Sequence, residues 1–84
     1  MNYESLLSSL KIDLGITTTA YDARLTEYLK RAGGEIEREG IILTDSIDDQ
    51  NLVIFYAAWL WRKRDTGEGI PRMLRWQLNN RLFS

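Results

Sequence analysis

The segment Leu52–Trp61, which reads LVIFYAAWLW, is apolar or aromatic at all ten positions, and three cations follow it directly. Crossing a hydrocarbon core takes about 20 apolar residues as a helix, so this segment is too short to span a membrane. Its first half contains β-branched and aromatic residues that suit a strand, whereas Ala57, Ala58 and Leu60 favour a helix. Because no turn signal interrupts residues 46–65, we predict a helix there that is apolar on every side.

A helix that is apolar all round must be covered all round, which is difficult in a chain of 84 residues. A domain of this size buries only about 60–65% of its unfolded surface. The chain also contains three Trp and four Tyr, residue types that are enriched at protein interfaces. We therefore expect residues 1–84 to form a single domain whose central helix shares its burial with neighbouring subunits.

Three further helices are predicted from apolar spacing and from stop signals. Leu6, Leu10 and Leu14 recur at helical spacing, and Gly15 ends the first helix. The clearest periodicity runs from Tyr21 to Ile36. Pro71 is expected to be the first residue of the last helix. The sequence thus predicts an all-α fold, a small four-helix bundle with helices at about 3–14, 20–40, 46–65 and 71–83.

The second helix contains one capping pattern and one irregularity. Thr19, with Asp22 three residues later, matches a capping box. Gly33 and Gly34 interrupt the helix interior, where each costs about 1 kcal/mol relative to alanine. Two explanations stay open for the glycines: a kink in the helix, or another backbone that packs too closely to allow a Cβ.

A group of acids precedes the central helix. Ser46 with Asp49, or Asp45 with Asp48, can cap its N-terminus, where acids also suit the helix dipole. The same three aspartates could hold a metal, but their spacing lacks the order and the closing glutamate of a calcium loop. Capping is the favoured interpretation, and we predict no metal site.

The last helix has two apolar patches on different sides. One patch consists of Leu74, Leu78 and Leu82, and the other of Met73, Trp76 and Phe83. One patch can face the core of the domain itself. The second patch then needs another partner.

The residue types argue against an enzyme. Histidine and cysteine are absent, which removes the usual zinc ligands and disulfides. A P-loop and a glycine-rich phosphate fingerprint are also missing. The acids fall at helix starts and on polar faces rather than in a pair with divergent environments. We predict no catalytic residue and no cofactor.

The charges divide unevenly along the chain. Residues 1–51 contain five Lys/Arg and ten Asp/Glu, and residues 52–84 contain six Lys/Arg and two Asp/Glu. A basic half with aromatics could bind nucleic acid through Arg72, Arg75 and Arg81, although the sequence pI of 5.3 is far from basic. Alternatively, acidic and basic ends could stack head to tail, a contact that closes into a ring when the rotation allows.

The order of these segments resembles the small head–tail connector (adaptor) proteins of tailed bacteriophages and prophages. The resemblance runs from Ser5 to Ser84 through LLSSLKIDLGI, DARLTEYLKRAGGEIE, an apolar helix ending in WLWRKRD, and IPRMLRWQLNNRLFS. It implies a structural protein of the virion neck, made in the bacterial cytoplasm. It also implies a homo-oligomeric ring that docks on the portal protein after DNA packaging and extends the channel toward the next neck or tail component. DNA would pass through without sequence-specific binding.

The helical wheel and the charge division, rather than the resemblance, predict the interface residues. We predict that aromatic anchors contact the neighbouring subunit or the portal, namely Phe55, Trp59, Trp61 and Trp76. We predict that arginines pair with acids of that neighbour, namely Arg62, Arg64 and Arg75. The alternative function is a small helical nucleic-acid-binding module in phage DNA packaging or regulation.

Overall fold

The computed structural model describes residues 1–83, which form helices joined by short connections. A 3₁₀ turn at Tyr3–Leu6 leads into α1 (Leu7–Leu14), followed by α2 (Asp22–Arg38), α3 (Ile47–Thr66) and α4 (Arg72–Leu82). No strand occurs among these residues. The predicted all-α four-helix fold is confirmed, and the bounds lie within two residues of those predicted, except that the first four residues predicted for the first helix form a 3₁₀ turn.

Helix α3 lies at the centre and contacts α1, α2 and α4. Nine of its ten apolar residues 52–61 are buried, and only Phe55 is half-buried. The expectation that this helix needs a neighbouring subunit for its burial is therefore wrong for those nine residues. The other helices cover it because each contributes a leucine or isoleucine side to one common core, with Leu10, Leu29, Ile36 and Leu74 fully buried.

The predicted caps are confirmed for α3 but not for α2. The Ser46 hydroxyl accepts a hydrogen bond from the Asp49 amide at 3.2 Å. No side chain caps α2, and the prediction of Thr19 as its cap is wrong. The Thr19 carbonyl, rather than its hydroxyl, accepts from the Asp22 amide at 3.2 Å. The Asp22 carboxylate points instead to the ammonium of Lys11, 2.8 Å away.

Pro71 lies immediately before α4, whereas it was predicted to be the first residue of that helix. It precedes α4 with an extended backbone (φ −61°, ψ 144°), and Arg72 is the first helical residue. This position suits proline, because its fixed φ is compatible with the extended conformation of a residue that leads into a helix.

The two glycines of α2 have different surroundings. The helix continues without interruption through both of them. A Cβ added to Gly33 would lie 2.6 Å from Cζ of Tyr3, whereas a Cβ on Gly34 would meet nothing within 4 Å. Of the two explanations left open by the sequence, close packing applies at Gly33, and the group that packs there is a tyrosine ring rather than a backbone.

Candidate interface

Trp61 lies in an aromatic cluster between α2 and α3. Its ring makes edge contacts with Tyr21 and Tyr28 at centroid distances of 5.6 and 5.5 Å. The guanidinium of Arg64 lies 3.9 Å from the ring centroid, a cation–π geometry. Only 9% of Trp61 is exposed, so the surroundings within the chain already satisfy this side chain.

Trp59 is held in a similar way on the side of the loop that leads to α4. Its indole N–H donates a hydrogen bond to the carbonyl of Gly69 at 3.1 Å. Its ring contacts Tyr56 edge-on at 5.3 Å, and the ammonium of Lys63 lies 4.6 Å from its centroid. Trp59 and Trp61 thus belong to the core of the chain itself, and the folded chain does not present them as anchors for a neighbour.

The predicted arginines also divide into two groups. Arg64 pairs with Asp65 at 2.9 Å. Arg75 pairs with both carboxylate oxygens of Glu39, at 2.9 and 3.3 Å. The acids predicted on a neighbour are thus present in the chain itself for these two. Arg62 is exposed and makes no ion pair within the described residues 1–83.

One side of α3 remains open between α1 and α4. The residues there are Asp48, Asn51, Phe55 and Arg62, spaced i, i+3, i+7 and i+14, and we call them the open stripe. Three of the four are exposed, and Phe55 is half-buried. This spacing keeps the four side chains on one face of a helix.

A groove runs along each side of the open stripe, and Phe55 lines both of them. The groove beside α1 is also lined by Ile12 and Arg62. The groove beside α4 is also lined by Asp48 and Trp76. The structure therefore brings together Phe55 and Trp76, two of the predicted anchors, and places Arg62 at the far end of the same surface.

Helix α4 separates its two apolar patches as predicted. Leu74 and Leu78 are fully buried, whereas Met73, Trp76 and Phe83 are 58, 59 and 83% exposed. We call these last three residues the α4 outer face. Leu82, grouped with Leu74 and Leu78 by its spacing, is 39% exposed, because it lies at the end of the helix beside Gly40 rather than under the core.

A polar cluster that the sequence analysis did not predict joins the start of α3 to the end of α4 and to the connector before α3. Asp49 is 1% exposed and accepts hydrogen bonds from Arg81 at 2.7 and 3.1 Å and from the amide and hydroxyl of Thr44, both at 2.8 Å. Arg81 also donates to the carbonyl of Ile42. The hydrogen bond from Arg81, above all, lowers the pKa of Asp49 from 3.8 to about 2.

A sequence signal for this cluster was present. Asp49 shares its helical face with Leu52, Val53 and Tyr56, at i+3, i+4 and i+7, so an acid stands on a buried face. Arg81 lies three residues after Leu78, on the buried side of α4. A charged residue on an apolar face indicates a buried partner of opposite charge.

The uneven charges along the chain are partly neutralised in the fold. Arg75 and Arg81, both in the basic half, pair with Glu39 and Asp49 of the acidic half. In residues 1–83, no group of three acids is arranged to hold a metal ion. Nor is any helix in that range long and apolar enough to cross a membrane.

Comparison with known proteins does not assign this chain to a family. No protein-family profile, no curated protein and no solved structure matches the chain. The resemblance to phage connectors therefore stays a prediction, to be judged by what the surface of this molecule can do.

Proposed function

We propose that this chain is a structural subunit of the neck of a tailed phage or prophage. Copies of it form an oligomeric ring at the head–tail connector, and the ring docks on the portal after DNA packaging and extends the DNA channel toward the tail. The segment order described above suggests the assembly, and the all-helical fold is compatible with it.

The observation that carries the proposal is the α4 outer face. Met73, Trp76 and Phe83 remain exposed, although Leu74 and Leu78 already complete the core side of the same helix. Exposed apolar surface of this kind marks an interaction site when it is contiguous, and aromatic residues and methionine are enriched in interface cores. The partner that covers this face supplies burial that the chain itself does not.

A head-to-tail contact could pair an arginine beside this face with acids of another helix. Arg72, next to Met73, is exposed and makes no ion pair among residues 1–83. Exposed acids without such a pair lie on a different helix, at Glu27 and Glu37 of α2. A contact between α4 of one copy and α2 of the next is heterologous, and heterologous contacts generate rings when the rotation closes.

Two of the three arginines named for the nucleic-acid alternative are occupied by acids within the chain. Arg75 and Arg81 are both paired with carboxylates, and the formal net charge of the chain is −1. A phosphate-binding surface needs several cations that are free to displace counterions. In our proposal DNA passes through the ring without sequence-specific binding.

The proposal is tested by native mass spectrometry and negative-stain electron microscopy over micromolar to near-millimolar protein. The variants are Trp76→Glu, on the α4 outer face, and Ile42→Glu, a control that is 80% exposed and lines neither groove. We expect closed rings for the wild type and for Ile42→Glu, and their loss in Trp76→Glu. A wild type without rings at any of these concentrations would overturn the proposal, and salt-sensitive binding of duplex DNA by that protein would favour the nucleic-acid module.

A further inference from the structure

The geometry points to a second use of the surface: two free copies pair through their open stripes as an antiparallel dimer, with Phe55 on the two-fold axis. This inference does not rest on the proposed function, because it concerns the α3 stripe and not the contact that would form a ring. The occupant of the open stripe is a second copy of this chain.

The charges of the open stripe are symmetric about Phe55. Asp48 lies seven residues before Phe55, and Arg62 lies seven residues after it. Both are exposed, and neither makes an ion pair among residues 1–83. An antiparallel second copy centred on Phe55 therefore brings Asp48 of each copy opposite Arg62 of the other.

The two charges cannot neutralise each other within one chain. Fourteen residues of helix separate Asp48 from Arg62, a distance of about 21 Å at a rise of about 1.5 Å per residue. A salt bridge requires approach within about 4 Å. Any coupling between these two side chains must therefore be between copies.

The flanks of the stripe fit the same symmetry. A two-fold axis that lies in the interface and perpendicular to α3 keeps the α1 side of one copy against the α1 side of the other. Ile12, which is 79% exposed, then lies on the flank that meets α1 of the other copy, and Trp76 lies on the flank that meets α4 of the other copy. Both line a groove together with Phe55, so apolar side chains flank Phe55 on both sides, and the ion pairs lie at the two ends.

The size of this surface predicts a weak dimer. The stripe is about 21 Å long, and α1 and α4 flank α3 at roughly 9 Å on each side, which gives a footprint of about 400 Å² per copy. This is about half of the 800 Å² per partner that a standard stable interface buries. We expect a dissociation constant in the micromolar range, and dimers that are visible at protein concentrations below those at which rings form.

Such a dimer belongs to the unassembled protein. The two copies point in opposite directions, whereas all subunits of a ring with one polarity point the same way. Trp76 lies both on the α4 outer face and in the groove beside Phe55, so the dimer also covers part of the face that would form a ring. Pairing would thus keep this apolar surface covered until assembly begins.

A charge-reversal experiment tests the pairing directly. The variants are Asp48→Arg, Arg62→Asp and the double reversal, measured by sedimentation equilibrium, with circular dichroism to confirm folding. Each single reversal replaces two symmetric ion pairs by two like-charge contacts, and we expect it to weaken the dimer about tenfold. The double reversal restores opposite charges across the axis and should return the dissociation constant to within about threefold of the wild type.

A cysteine variant locates the axis in the same chain, which has no cysteine of its own. Phe55→Cys should form a disulfide-linked dimer under a mild oxidant, because facing Cα atoms at the axis lie within the roughly 7 Å that a disulfide allows. Ile42→Cys, which is more accessible but lies outside the stripe, should not.

The outcomes separate this inference from the proposed function. Rescue by the double reversal together with a Phe55 cross-link establishes the antiparallel dimer. Rings that form in every charge variant, without rescue and without the cross-link, overturn the dimer and leave the ring intact. A wild type that is monomeric at all concentrations overturns both.

Discussion

Helices α3 and α4 contain similar side chains but place them differently. Each has tryptophan close to arginine, at Trp61 and Arg64 in α3 and at Trp76 and Arg75 in α4. Trp61 is 9% exposed, whereas Trp76 is 59% exposed. The reason is the number of neighbours: α3 contacts three other helices, whereas α4 packs chiefly against α3. Residue type alone thus does not separate a core aromatic from a surface one, because the position of the helix in the bundle decides.

The largest difference is expected when Trp61 of α3 and Trp76 of α4 are each replaced by alanine. We expect Trp61→Ala to lower the free energy of unfolding by about 4 kcal/mol, because it removes a buried ring and leaves a cavity between α2 and α3. Trp76→Ala removes an exposed ring and should change it by no more than about 0.5 kcal/mol. Urea denaturation followed by circular dichroism measures both. Similar losses for the two variants would mean that α4 is more deeply packed than the structure places it.

A smaller effect on stability is expected from the ion pair between Asp49, near the start of α3, and Arg81, near the end of α4. The pKa of Asp49 is lowered to about 2 in the folded chain. The contribution of the ionised Asp49 carboxylate to the free energy of unfolding is therefore complete above about pH 4 and is lost as the pH falls toward 2. We expect about 1.5 kcal/mol, less than the full shift implies, because the Arg81 side chain is partly exposed and screened by solvent.

The measurement is the free energy of unfolding between pH 5 and pH 2, for the wild type and for Asp49→Asn. The asparagine keeps a side-chain oxygen for the Thr44 amide but has no titrating carboxyl. The wild type should lose more stability than the variant over this range. Parallel curves would show that the ion pair between α3 and α4 contributes little.

The smallest effect concerns the two glycines of α2, which packs on the opposite side of the core from the open stripe. We expect Gly34→Ala to stabilise the chain by up to about 1 kcal/mol, because the site has room and alanine favours helix. Gly33→Ala should destabilise it by about 1 kcal/mol, since the clash with Tyr3 outweighs the helical gain. Thermal unfolding of both variants gives the sign of each change. A stabilising Gly33→Ala would show that the Tyr3 ring moves aside at little cost.

Much of the fold could be predicted from local patterns. The run Leu52–Trp61 predicted α3, Ser46 was one of two residues predicted to cap it, and the spacing in α4 predicted two separate apolar patches. These features depend on residues close together in sequence, where helical geometry alone fixes the relation. The failed cap at Thr19 shows the limit of this approach, because a contact with Lys11 directs Asp22 away from the capping geometry.

The candidate interface was only partly predictable. Phe55, Trp76 and Arg62 do lie at the surface, whereas Trp59 and Trp61 are taken into the core by Gly69 and by Tyr21 and Tyr28. Those partners lie 10 to 40 residues away in sequence. A helical wheel describes one helix and contains no information on which neighbours cover it, so it overestimates the surface of a central helix.

The different burial of the three tryptophans gives the chain a built-in optical probe. Trp59 and Trp61 are shielded from water and should emit at shorter wavelength, whereas Trp76, which is 59% exposed, should contribute the red side of the fluorescence spectrum. A quencher such as iodide reaches Trp76 first. Binding of a partner over α4 should therefore shift the tryptophan emission to shorter wavelength and reduce quenching by iodide, without a label attached to the protein.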